Sequence, residues 1–159
     1  MQLSKFTDYS FRALIYLADK KDSLATVEEL ANALDISEHH LKKIIHKLAK
    51  TNYVISIKGR GGGLKLGMEP KDINLGEILK ITEDNLNIVE CFNNPENCPL
   101  MTGGCRLKGV ISNSLQKFIE EFFKIQLKRH NLNNDELRMM SDELMNKLLR
   151  EFEEMMNYE

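Results

Sequence analysis

Apolar residues between positions 8 and 19 ("DYSFRALIYLAD") recur as Phe11, Leu14, Ile15, Leu17 and Ala18, the spacing of one helix face, which predicts a first helix over 8–19 with Thr7 or Asp8 as its N-cap. In "TVEELANALD", Thr26 is placed to cap a second helix, with Glu29 three residues on as in a capping box and Leu30 and Leu34 behind it. That helix is expected to stop near Asp35. "SEHHLKKIIHKLAKTN" then restarts the pattern after Ser37, with Leu41, Ile44, Ile45 and Leu48 as the buried stripe. Two helices joined by the short link "LDIS" form a helix-turn-helix candidate, whose second helix exposes His39, His40, Lys42, Lys43, His46 and Lys47.

The period then changes from 3.6 to 2. Alternation over Tyr53 to Ile57 and Leu64 to Leu66, with the turn residues 58–63 between them, predicts a hairpin directly behind the helix-turn-helix, the position of a wing. "NLGEILKIT" at 74–82 reads as a short helix, 83–90 as a connector and 91–105 as an irregular loop. From about Lys108 a long helix carries Ile111, Leu115, Phe118, Phe122 and Ile125 at alternating intervals of four and three, a heptad seam. Such a seam suits pairing with a second copy, and operators read by paired helix-turn-helix units require a dimer; packing onto the chain's own N-terminal part is the competing use. "RHNLNN" interrupts the helix, and a final acidic one over 135–157 carries Leu137, Met140, Leu144, Leu148 and Met155 as packing positions without a functional assignment. The expected fold is mainly α with a small β wing. Its parts are a winged helix-turn-helix DNA-binding domain (1–82), a cysteine loop (83–107), a dimerisation helix (108–130) and an acidic C-terminal helical extension (131–159).

Composition agrees with a folded chain: 159 residues, 42% hydrophobic and 29% charged, without low-complexity tracts. No apolar run approaches the roughly 18 residues of a membrane helix, and the N-terminus lacks a signal-peptide layout, so a cytoplasmic protein with no membrane partner is expected. The net charge of −2 hides an uneven distribution. Residues 1–66 hold 11 Lys and Arg against 7 Asp and Glu, whereas 67–159 hold 11 against 17. Within 38–65, seven basic side chains face Glu38 alone. A local phosphate-binding surface accounts for this, and a merely solvated helix face is the plainer alternative. On the first reading Ser37, His39, His40, Lys42, Lys43 and His46 face the major groove of double-stranded DNA, while Lys58 and Arg60 on the wing reach phosphates or the minor groove.

All three cysteines, Cys91, Cys98 and Cys105, fall in "CFNNPENCPLMTGGC". An odd number in a reducing compartment argues for free thiols or metal ligands. Structural zinc normally uses C-x-x-C knuckles and a fourth Cys or His, which this loop lacks. Thiolate chemistry has Arg106 and Lys108 beside Cys105 but no base at a useful spacing, so an enzyme is not expected. An iron-sulfur cluster needs several thiolates on an irregular loop. Inert buried thiols remain a fourth use, and the residues alone leave all of these open.

Taken together in order, "FTDYSFRALIYLA" at 6–18, the helix-turn-helix, "KGRGGGLKLG" at 58–67, the three cysteines and "CRLKGVISNSL" at 105–115 resemble the Rrf2 family of bacterial winged-helix regulators, from Met1 to about Lys128. Within it the likeness is greatest to the branch of nitric-oxide-sensing iron-sulfur repressors. The resemblance implies a homodimeric repressor of a palindromic operator, with nitric oxide as signal. It also implies one cluster per subunit, 4Fe-4S in preference to 2Fe-2S, bound by Cys91, Cys98 and Cys105. The fourth ligand in that branch is an acidic residue on the first helix of the partner subunit, and Asp8 occupies the matching position. Arg12, one turn on, would pair with Asp8 or orient it. Another branch places a histidine three residues after the last cysteine; Lys108 stands there. Some relatives work without a cluster, so a thiol- or metabolite-responsive regulator is the alternative.

Overall fold

Helix α1 (Lys5–Asp19) begins earlier than the apolar pattern implies, because Ser4 and not Thr7 or Asp8 caps it: Ser4 Oγ accepts from the Thr7 amide at 3.2 Å. The Thr7 hydroxyl is buried and donates instead to Thr82 Oγ1 at 2.9 Å, and Thr82 passes the bond on to the Ile78 carbonyl at 2.7 Å. A threonine that reads as a cap is therefore a satisfied core polar group. The computed structural model describes residues 2–21, 23–94, 96, 98 and 104–127, with 146 and 150 singly. The chain divides into compact units 1–128 and 129–159, and the elements named here belong to the first. The break at 129–134 and, except for Asn146 and Arg150, the final helix expected over 135–157 lie outside the described residues.

Helices α2 (Val27–Leu34) and α3 (Glu38–Lys50) form where expected. Thr26 Oγ1 accepts from the Glu29 amide at 3.0 Å, and Ser37 Oγ from the His40 amide at 3.3 Å. The Glu29 carboxylate, which the Thr26 backbone also reaches as a capping box requires, accepts the Tyr16 hydroxyl at 2.8 Å and pairs with Lys20 Nζ, pinning α2 to the end of α1. Lys20, and after it Tyr16, hold that carboxyl below its usual range. Asp35 closes α2 in the left-handed region (φ 52°) and lets the chain turn at once into α3.

Strands β1 (Val54–Ile57) and β2 (Gly63–Leu66) pair antiparallel, with Val54 opposite Leu66 and Ile57 opposite Gly63. The tip turns through Gly59 and Gly61, both at positive φ. On the other side of β2, Ala25 exchanges both backbone hydrogen bonds with Leu64, at 3.0 and 2.8 Å, so the wing is tied to the chain entering α2. This third contributor is invisible to periodicity, since it is one residue long.

A 3₁₀ turn (Pro70–Asp72) leads to α4 (Leu75–Thr82), a short α5 (Glu90–Asn93) and the long α6 (Arg106–Phe123). Leu14 and Leu17 of α1, Leu30 of α2, Leu41, Ile44 and Leu48 of α3, Val54 and Ile78 form one core and are almost completely buried. Each such side chain contributes about 1.5–3 kcal/mol of burial free energy. The core also takes in Leu127, because the chain after α6 returns to the start of α4. There Leu127 N donates to Ile73 O at 2.7 Å and Leu75 N to Ile125 O at 3.0 Å.

The heptad pattern overruns α6. The helix ends at Phe123, and Ile125 lies beyond it, 48% exposed, with its carbonyl held by Leu75. Part of the stripe packs on its own unit: Phe122 stacks on Phe11 at 5.7 Å between ring centroids and meets Phe118 edge-on at 5.2 Å. No α6 residue is fully buried, and Leu107 and Val110 near its N-terminal end are 65% and 56% exposed.

Candidate functional site

The buried stripe of α3 turns its opposite face outward. His39, Lys42, Lys43 and His46 are exposed there, with Ser37 at the capping position. Lys42 is partly engaged by Glu38 at 2.7 Å, an exposed i, i+4 pair of small energetic consequence. Lys43, Lys47, Lys58 and Arg60 have no ion pair among the described residues, which leaves their charge available to phosphate. His40 differs from the rest of the expected groove-facing set. It is half-buried and its ring meets Tyr9 edge-on at 5.6 Å, so it packs on α1. The wing presents Lys58 and Arg60 exposed at the hairpin tip. Ile55 and Ile57 on β1 are each 42% exposed, an apolar feature of the wing.

The cysteines occupy three different settings. Cys91 lies in the first turn of α5, Cys98 in the loop, and Cys105 caps α6; all three are half-buried and none forms a disulfide. Gly104, at φ 104°, makes the sharp entry to Cys105. Cys105 Sγ accepts from the Lys108 amide at 3.4 Å. Lys108 Nζ lies 5.9 Å from the centroid of the Phe92 ring, linking the start of α6 to the residue next to Cys91. Asn85 and Asn87 donate to the Asn93 side chain at 3.3 and 2.6 Å and fold the connector back on α5. Asp8 stands on α1, its side chain 46% exposed, with Oδ1 accepting from Arg12 Nε at 3.0 Å. The pairing expected of these two residues is present, and Asp8 raises the guanidinium pKa.

In kind, this donor set fits a thiolate-held iron group: three reduced sulfurs on an irregular segment, one with a backbone N–H on its sulfur. Among the described residues, no group of three or more His, Cys, Asp and Glu side chains is gathered as a metal site. Among the same residues no helix is long and apolar enough to cross a membrane.

Comparisons with known proteins bear on the whole unit. The family described as "Rrf2: Iron-dependent Transcriptional regulator" matches residues 3–130. The HTH-type transcriptional regulator NsrR of Shouchella clausii is 44% identical over 141 residues, 88% of this chain and 95% of the relative. The regulator of the same name from Halalkalibacterium halodurans is 43% identical over 141 residues, 88% and 97% of the two chains. In architecture the chain is similar to CymR (YrzC), the global cysteine regulator of B. subtilis, with a TM-score of 0.62 at 24% identity over 78% of this chain and 90% of that one. With a helix-turn-helix and wing in place and the family matched over most of its length, the chain belongs to the Rrf2 family of transcriptional regulators and is not an enzyme.

Proposed function

We propose that the protein is a homodimeric repressor whose hold on a palindromic operator is gated by an iron-sulfur cluster, 4Fe-4S in preference to 2Fe-2S, and released by nitric oxide. The observation that carries this reading is the placement of Cys105 at the N-cap of α6, the helix whose other end is bonded to α4 and stacked on α1 of the DNA-binding unit. Ligation at Cys105 acts on one end of a rigid helix anchored at the other. Cys91, Cys98 and Cys105 supply thiolates, and Asp8 of a second subunit supplies a carboxylate, with Arg12 orienting it. When bound, the cluster supplies iron that nitric oxide attacks. The exposed apolar positions Leu107 and Val110, continued by Ile111, suit the contact between two α6 helices. Ser37, His39, Lys42, Lys43 and His46 then enter the major groove, His40 supports α3 from behind, and Lys58 and Arg60 grip the flanking backbone.

Anaerobic purification followed by iron and sulfide determination tests the ligand set. The expected result is about four irons and four sulfides per chain, retained by Lys108→Ala and lost from Cys91→Ser, Cys98→Ser and Cys105→Ser. Protein free of iron and sulfide that still binds its operator would assign it to the thiol- or metabolite-responsive regulators of the family.

A further inference from the structure

A cavity of about 440 Å³ opens between the outer flank of α3 and the segment that follows α4. This is within the range of small-molecule sites, roughly 300–1,000 Å³. One wall is basic: Lys43, His46, Lys47 and Lys50 recur at intervals of three and four along α3 and so share a face. The other wall carries Glu83 and Asp84, and Phe6 gives an apolar surface between. No ion pair connects any of the three lysines to either acid among the described residues. Glu83 is held in place from behind, its Oε1 accepting from the Ser4 amide at 2.7 Å, and Ser4 is itself fixed as the cap of α1. The acidic wall is thus anchored to the fold, while the lysine wall rides on the DNA-reading helix.

We propose that this cavity binds a small zwitterion, a free neutral α-amino acid, with its carboxylate on the lysine wall, its ammonium on Glu83 and Asp84 and its side chain against Phe6. A simple anion would meet the two carboxylates, and a simple cation the lysines; a ligand bearing both charges satisfies both walls at once. Because Lys43 and His46 also belong to the proposed groove-facing set, occupancy draws charge away from DNA and weakens operator binding. The site is independent of the cysteines and of the cluster reading.

The test is calorimetry on the full chain with free leucine, methionine and phenylalanine, each compared with its N-acetyl acid and its amide. Two charge-assisted contacts replaced by one predict that the free amino acid binds about tenfold tighter than either blocked form. Lys47→Gln and Asp84→Asn should each remove most of that preference, Lys47→Gln against the amide and Asp84→Asn against the N-acetyl acid. Equal affinity for blocked and free forms, binding of inorganic phosphate in their place, or no heat from any free amino acid in the panel would overturn the proposal. Circular dichroism of both variants separates lost binding from lost fold.

Discussion

Arg60 shows most simply how a residue's setting decides its use. It sits exposed at the wing tip, without an acidic partner among the described residues, so its charge stabilises nothing in the folded chain and is free for phosphate. Arg60→Ala should leave the thermal midpoint unchanged and lower operator affinity while reducing the slope of log K against log salt by about one. Fluorescence anisotropy over a salt series reads both quantities, and an unchanged slope would remove the wing tip from the interface. Lys42 makes the contrast: its pair with Glu38 must be given up or shared before it contacts DNA. His40 is turned by Tyr9 into a support for α3, a role that only the tertiary contact reveals.

Among the elements, α4 and the end of α6 are joined at Asn74 and Gly76. Asn74 caps α4, its Oδ1 accepting from the amides of Gly76 and Glu77 at 2.9 and 3.2 Å, while its Nδ2 donates to Phe123 O at 2.7 Å. Gly76 admits the Phe123 ring so closely that a Cβ there would fall 2.4 Å from it. Gly76→Ala should therefore loosen the end of α6 without unfolding the core, at a cost of about 1–3 kcal/mol for overpacking. Chemical denaturation would measure the loss, and hydrogen exchange should show it concentrated at 73–76 and 122–127; protection unchanged there would refute the clasp. Elements defined by local signals were legible in the sequence: α2, α3 and the hairpin follow from the caps Thr26 and Ser37, the apolar stripe and the change of period. What could not be read were contacts between distant segments. The Ala25–Leu64 bridge and the return of 125–127 to 73–75 depend on chain closure, and Ile125 keeps heptad spacing although the helix has already ended. The thiol chemistry of the candidate site was legible from residue type, whereas the capping position of Cys105 and the Lys108–Phe92 contact needed the fold.

For the molecule as a whole, a winged helix-turn-helix with an outward basic face is joined through α1 and α4 to a long helix that begins at a cysteine. α6 buries nothing completely in its own unit, and Leu107 and Val110, which the second copy is proposed to cover, are exposed near its N-terminal end. Gating in this arrangement needs only a change in the distance between two recognition helices, with a coupling free energy typical of allosteric proteins, about 1–3 kcal/mol. The most direct measurement is a nitric oxide titration of the anaerobic protein bound to an operator selected from a random DNA pool, following iron-sulfur absorbance and DNA anisotropy in the same sample. Absorbance and DNA binding should fall together, and protein stripped of iron should bind no more tightly than the nitric-oxide-treated sample. Bleaching that leaves the DNA complex intact would contradict gating by a cluster.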